Sequence, residues 1–408
     1  MNWEKSFYAI LGAEVLVLMG FSTSIPILPL YFQQDLGITD PIAVKLWVGA
    51  CATITPITLF IFAPIWGQLA DSVGKRAMLL RAMLGGAVVL GLMGVANHPW
   101  QMLVLRGMQG ALTGTVSAAT VLVANITPRE RIGMSLGLLQ TGIYAGSSLG
   151  PALGGALSDF VGHRANFFVA SGLLLAAAGI VLVFVRADRP DRAVHGPILK
   201  RILPDFSPVR HTQGLILLLL MAGALQAAMN TIAPLLTLFI QSLTPGAALI
   251  GTTSGTIIGL TALAAAVAAA GLGRVSHRLG FERTFRFCLS AAAVVFLFQG
   301  FVRTTRQLLI LRMAGGALIG GSEPSLNAMI ALRVEKNRQG AVFGLTSSMN
   351  SLGAMTGPMV GSLSSNAFGY PAMFFSAAIL LTASAVMAWR LKRAPGPTPG
   401  GPGANAAA

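Results

Sequence analysis

The sequence predicts an all-α integral membrane protein whose twelve transmembrane helices form two pseudo-symmetric six-helix bundles. Three observations lead there. Of the 408 residues, 54% are hydrophobic and only 10% charged, against about 25% charged in soluble domains. Apolar runs of about 20 residues or more, each long enough to cross a hydrocarbon core roughly 30 Å thick, can be placed twelve times. The second six runs then repeat the first six at a nearly constant offset.

The runs cover residues 6–34, 43–69, 77–97, 100–125, 132–157 and 165–186, then 213–242, 246–272, 284–302, 306–332, 340–364 and 370–391. The first continues into Pro26 and Tyr31 with no small-residue cleavage site, so it reads as a retained helix and not a signal peptide. Between the sixth and seventh lies the one long polar stretch, Arg186 to His211, dense in Arg, Lys, Asp and Pro. It divides the chain into an N-terminal bundle (1–186), a cytoplasmic linker (187–211) and a C-terminal bundle (212–393). The Pro- and Gly-rich tail, 394–408, is low-complexity and expected to be disordered.

The net charge of +15 would suit nucleic acid if it formed one patch. It is instead spread over short loops, where Lys and Arg report orientation. With a cytoplasmic N-terminus, the inner loops hold Lys75, Arg76, Arg81, Arg129, Arg131, most of the linker, Arg274, Arg278, Arg283, Arg286, Arg333, Lys336, Arg338 and the Arg390–Arg393 cluster, about 22 of the 28 basic residues. The outer loops keep Lys45, Arg164, Arg303 and Arg306. Both termini are therefore expected in the cytoplasm. Cys51 and Cys288 fall in apolar runs, so neither a disulfide nor a metal site is expected. No His/Cys cluster, nucleophile constellation or phosphate-binding loop stands out, which argues against an enzyme, a cofactor or direct ATP drive.

The repeat is specific. Gln101-Met-Leu-Val-Leu-Arg106 matches Gln307-Leu-Leu-Ile-Leu-Arg312, Gly110-Ala-Leu112 matches Gly316-Ala-Leu318, and Phe167-Phe168 matches Phe374-Phe375. Pro26–Gln33 resembles Pro234–Gln241. The stretch Gly146-Ser-Ser-Leu-Gly-Pro-Ala-Leu-Gly-Gly155 returns as Gly353-Ala-Met-Thr-Gly-Pro-Met-Val-Gly-Ser362. In a soluble helix interior such a Pro would cost roughly 3 kcal/mol and each Gly about 1. In lipid, small residues four apart let helices approach closely, and neighbours re-satisfy the freed backbone groups. The motif predicts a fifth helix that kinks and packs tightly. Two parallel six-helix halves place a substrate site at their interface near the midplane, as one class of secondary transporter does.

These motifs resemble the major facilitator superfamily, and more narrowly its twelve-helix drug:proton antiporters, over essentially the whole chain to about residue 393. Gly67-Gln-Leu-Ala-Asp71-Ser-Val-Gly74-Lys75-Arg76 is similar to the superfamily loop motif between helices two and three. Leu105-Arg106-Gly-Met-Gln109-Gly110 is similar to its fourth-helix motif, and Gly146, Gly150, Pro151, Gly154 and Gly155 to the fifth-helix pattern of antiporters. The resemblance implies the fold, a small-molecule substrate exchanged for protons, a monomer embedded in the lipid bilayer, and the bacterial cytoplasmic (inner) membrane.

It also implies roles for residues. The cluster of Gly67, Asp71, Gly74, Lys75 and Arg76 would latch the halves in the outward-facing state; the bland reading is positive-inside topology, to which Asp71 adds nothing. The second copy has His277 where the acid should be. Arg106 would take part in proton transfer, or else tie helix four to helix-one carbonyls near Pro26 and Pro29. Arg312 is its counterpart.

Glu14 and Glu323 are acids well inside spans. Desolvation raises a carboxyl pKa and a nearby Arg lowers it, so a cavity Glu can load and release a proton as its surroundings alternate. Neither is repeated; Ser117 stands where Glu323 would recur. Gln140, Tyr144, Gln226, Asn230, Asn327 and Asn350 are further polar residues in helices five, seven, ten and eleven. Singly each reads as interhelical glue; together they suggest a mostly apolar cavity with scattered amides, suited to amphipathic compounds. The expected function is proton-coupled export of small amphipathic or cationic compounds. The alternative is a dedicated exporter of one metabolite, such as a sugar or siderophore.

Overall fold

The computed structural model describes residues 3–186, 214–334 and 339–391; within these, the side chains of Pro64, Gln68, Asp71, Ser72, Arg129, Arg274, Val275, His277, 339–341 and Phe343 are not described. The sequence-predicted linker, 187–211, and tail, 394–408, lie outside the described residues.

Among the described residues all regular structure is helical. The first half contains α1 (Trp3–Leu30), which ends in a π-helical turn, Tyr31–Asp35. It continues with α2 (Pro41–Val73), α3 (Lys75–Gly94), α4 (Pro99–Leu112), α5 (Thr115–Ile126), α6 (Ile132–Val161) and α7 (His163–Phe184). The second half contains α8 (Leu215–Ile232), α9 (Leu236–Leu243), α10 (Ile250–Leu279), α11 (Phe281–Gln299), α12 (Thr305–Arg333), α13 (Gln339–Phe368) and α14 (Pro371–Arg390). Helices α4 and α5 together make one span, as do α8 and α9, so the fourteen segments form twelve spans. Eight spans qualify as membrane-crossing by length and composition. The other four, α6, α11, α12 and α13, are richer in Gly and Ser or carry charges.

The interruptions of the helical pattern do not fall at the Gly-Pro motif. Helix α6 runs unbroken through Pro151 and α13 through Pro358. Span four is interrupted instead at Thr113–Gly114, where Gly114 takes φ +116°. Span seven is interrupted beside Pro234, whose ring nitrogen has no hydrogen to donate.

What Gly146–Gly155 provides is close approach. A β-carbon at Gly146, Gly150 or Gly154 would run into the carbonyl oxygens of Val15, Met19 and Thr23 on α1. The second half repeats this contact: Gly353, Gly357 and Gly361 of α13 sit against the carbonyls of Gly223, Ala227 and Thr231. Edge-on ring pairs repeat as well, Tyr31 with Phe167 at 5.3 Å and Phe239 with Phe374 at 5.1 Å. So do the tight links after α2 and α10, where Gly74 and Gly280 take φ +107° and +91°, a region closed to most side chains. The sequence repeat is thus a repeat of packing.

The helix ends define two faces. The basic end carries Lys75, Arg76, Arg131, Arg286 and Arg333; the far end carries Asp35, Asp159, Arg164 and Arg303. Most contacts between the halves run along two seams, with smaller ones from α1 to α9 and α10. In one, α6 meets α10, with Gly155, Pro151 and Ser148 against Gly251, Gly255 and Gly259. The Ser148 hydroxyl donates to the Gly259 carbonyl at 2.7 Å. In the other, α2 meets α13, with Gly49 against Ser362 and Pro358. Each named contact lies in the far half of its helices.

Two charges reinforce these seams across the bundle interface. Asp159 of α6 accepts from the backbone N–H groups of Gly251 (3.1 Å) and Thr252 (2.6 Å), capping the N-terminus of α10. Lys45 of α2 donates to the Ser365 carbonyl at 3.1 Å near the C-terminus of α13, while Ser362 donates back to the Lys45 carbonyl at 2.6 Å. An anion at a helix N-terminus and a cation at a C-terminus both suit the helix dipole. The protein is sealed at the far end.

Two outcomes follow from this packing. Gly154→Leu should lower stability by about 1–3 kcal/mol or prevent folding, because backbone opposes the new side chain. Gly172→Ala, with open space around its Cα, should melt like wild type; detergent-solubilised thermal unfolding compares them. Asp159→Ala removes an N-cap worth about 1 kcal/mol. An impermeant thiol reagent applied from the far side should then label Ser148→Cys about fivefold faster than in the Asp159 parent. An unchanged rate would mean that Asp159 contributes nothing to closure.

Candidate functional site

A cavity of about 180 Å³ lies within the second half, walled by α8, α12 and α13. Its lining brings Glu323 together with Gln226, Asn327 and Asn350, completed by Leu225 and Thr346. The helices deliver these side chains at one depth. At about 1.5 Å rise per residue, Gln226, Asn350 and Glu323 each stand about 15–17 Å in from the basic end of their helix. Helix α6 brings Tyr144 to about 18 Å by the same count, and its hydroxyl lies within electrostatic reach of Glu323 across the halves. Gln140 stands one turn nearer the basic end on the same helix.

The cavity is open on one side. Gln140, Thr141 and Tyr144 on α6, and Asn327 on α12, are exposed, whereas the seams at Ser148, Pro151 and Gly155 are buried. The 180 Å³ cavity thus lies beside exposed polar residues and on the basic side of the far-end seams. Glu323 is partly accessible there. Pro324 follows it inside α12.

The remaining sequence-predicted residues lie apart. Asn230 donates to the carbonyl of Gln226 in its own helix at 2.9 Å and packs against Gly357, which makes it part of the α8–α13 seam. Glu14 stands in the first half, fully buried, with neither oxygen within geometric bonding range of a donor and Thr115 of α5 as the polar group beside it. Thr115 begins the helix that restarts after the Gly114 break, so that break places a helix N-terminus near Glu14. Arg106 donates to Gln109 at 3.0 Å and to Ser24 of α1 at 3.1 Å. It ties span four to α1 through a hydroxyl and not through a carbonyl freed by Pro26 or Pro29. Among the described residues, it forms no ion pair with Glu14 or Glu323. Arg312 is buried in the second half, with its guanidinium 5.9 Å from the Phe296 ring centre.

In the loop motif, Arg76 donates to the Leu182 carbonyl at 2.6 Å, at the C-terminal turn of α7. Gly67 lies in α2 and Gly74 forms the link to α3. Lys75 opens α3. The side chain of Asp71 lies outside the described residues, as does that of His277. The Arg76 contact stays within the first half.

Sequence reasoning missed Asp159 and ranked Lys45 only as an outer-loop base. A signal for Asp159 was present: an acid in the last turn of α6 opposes that helix's own dipole, so it is better placed to serve another helix. Asn366 stands at the repeated position.

Comparison with known proteins extends this geometry. The model of the Major Facilitator Superfamily matches residues 10–298 and 251–407. The chain is 33% identical over 393 residues to the multidrug resistance protein MdtG of Serratia proteamaculans, covering 95% of this chain and 94% of that one. It is 31% identical to MdtG of Yersinia enterocolitica, over 97% and 95% of the two chains. Among solved structures, a bacterial homologue of the human lysosomal transporter Spinster, inward-facing and unoccupied, matches with a TM-score of 0.80 at 12% identity. That match covers 95% of this chain and 96% of the other. The nucleoside transporter NupG matches at 0.75 and 14% identity, over 96% and 98%. At such identities these structures speak for the fold alone. Family model and near full-length relatives agree with the two six-helix halves, and the chain belongs to the Major Facilitator Superfamily, in the family that includes these MdtG proteins.

Proposed function

We propose that this chain is a proton-coupled antiporter that exports small amphipathic or cationic compounds by alternating access across the bacterial cytoplasmic membrane. Its basic end, with both termini, faces the cytoplasm, and it works as a monomer. The observation that carries this reading is Glu323, a carboxyl in the wall of an amide-lined cavity on the basic side of the far-end seams. The names of the MdtG relatives support the multidrug class of substrate.

The moving units are the N-terminal bundle (1–186) and the C-terminal bundle (212–393), joined by the linker 187–211. In the inward-open state the cavity admits a cytoplasmic compound, and Gln226, Asn327 and Asn350 offer it donors and acceptors. Proton and cationic substrate compete for the Glu323 carboxylate, which is the exchange an antiporter requires. Tyr144 faces Glu323 from the other half and senses which of them is bound. Glu14 is the second carboxyl offered for proton exchange, reached when α1 and α5 shift. Arg106 acts as a strut between α1 and span four, by which movement in one reaches the other. Closing the cytoplasmic side would bring the Asp71, Lys75 and Arg76 loop toward the second half as a latch. A membrane potential adds about 2.3 kcal/mol per charge per 100 mV.

Efflux of a cationic dye from proteoliposomes under an imposed pH gradient tests the proposal. Wild type should drive the dye uphill, and Glu323→Gln should only equilibrate it, losing nearly all of the gradient-driven accumulation. Equal pumping by both would move coupling to Glu14 or elsewhere. No dye movement by wild type would favour a carrier of a single metabolite.

A further inference from the structure

At the basic end of the second half, α10, α11 and α12 surround a cavity of about 360 Å³ that shares no lining residue with the Glu323 cavity. Its wall carries three guanidinium groups, Arg283, Arg286 and Arg333, against one carboxylate, Glu282. Glu282 engages Arg333 at 2.8 Å and Arg286 at 3.5 Å. Among the described lining residues, three positive charges face one negative. The rim is apolar, with Leu279 and Leu332 59% and 71% exposed.

Arg286 links this pocket to a second feature. Its guanidinium lies 5.2 Å from the centre of the Trp389 ring, and its Nε donates to the Ala388 carbonyl at 3.1 Å. Trp389 stands at the mouth of an apolar groove of about 480 Å³ between α11 and α14, walled by Val294, Leu297, Ile379 and Val386. Arg286 therefore stands between a basic pocket at the helix ends and an apolar groove along the spans.

We propose that this pair of features is a binding site for an anionic phospholipid, with the phosphodiester among the three arginines and one acyl chain in the groove. Basic pockets between transmembrane helices suit anionic headgroups. A zwitterionic headgroup would bring its own cation to the same three arginines. The groove and the exposed Trp389, a residue type favoured at membrane interfaces, select a lipid over a soluble phosphate. A second copy of the chain would bring the same three arginines to this face, which disfavours it as the occupant.

Native mass spectrometry of the full chain in detergent, with phosphatidylglycerol or phosphatidylcholine added, tests the site. Wild type should retain phosphatidylglycerol at least about fivefold better than phosphatidylcholine, and Arg283→Glu should lower phosphatidylglycerol binding by at least about fivefold. Arg283 is exposed in the first turn of α11, so this variant should melt like wild type without lipid. Thr382→Trp, which fills the groove, should lower binding of both lipids. Equal retention of the two lipids by wild type would overturn the proposal, as would undiminished phosphatidylglycerol binding in both variants. Displacement of phosphatidylglycerol by millimolar inorganic phosphate, or a lipid-free dimer in its place, would equally overturn it.

Discussion

Backbone contact between the halves at the far end is the constraint on which the rest of the structure depends. Along α6–α10, Pro151 and Gly155 lie against Gly255 and Gly251 with no side chains between. Asp159 then satisfies two N–H groups that the start of α10 would otherwise leave unpaired, and Lys45 supplies the opposite charge at the end of α13. Helix-dipole contacts of this kind are worth about 0.3–1 kcal/mol each when exposed, and up to about 2 when partly buried. That is strong enough to favour one conformation and weak enough to be reversed by a ligand with modest differential affinity.

The same small-residue chemistry serves two different purposes. Within each half, Gly146, Gly150 and Gly154, and Gly353, Gly357 and Gly361, fix helix pairs that travel together. Between the halves, Gly155, Gly251, Gly255 and Gly259 form a surface that fits closely yet is held by few hydrogen bonds. Because the first set faces one side of α6 and Gly155 the other, a single helix is anchored in its own bundle while presenting a separable face. The cavity lies on the basic side of this hinge-like seam, with Glu323 in its wall.

Much of this was legible in the sequence because it is periodic or repeated. The offset of 206–208 marked the halves, and the packing follows it from Gly146 and Gly353 to Tyr31 and Phe239. Glu323 with Gln226, Asn327 and Asn350 could be grouped because polar residues in apolar spans have few tolerable destinations. Three features were not legible. The interruption at Thr113–Gly114 depends on a left-handed glycine, which looks in sequence like any other packing glycine. Asn230 has the same composition signal as its cavity neighbours but bonds to its own helix. The partners of Asp159 and Lys45 arise only from the meeting of two halves distant in sequence, although the placement of Asp159 against its own helix dipole hinted at a partner elsewhere.

Spin-label distance measurements across both ends of the same molecule, with and without a transported cation, test the central claim most directly. A pair joining α6 and α10 beside Asp159 should lengthen as a pair joining the basic ends of the two halves shortens, the two distributions changing in the same proportion of molecules. A basic end that closes while the far-end distance stays constant would contradict the account, since the far-end seal would then not be one face of a two-state exchange.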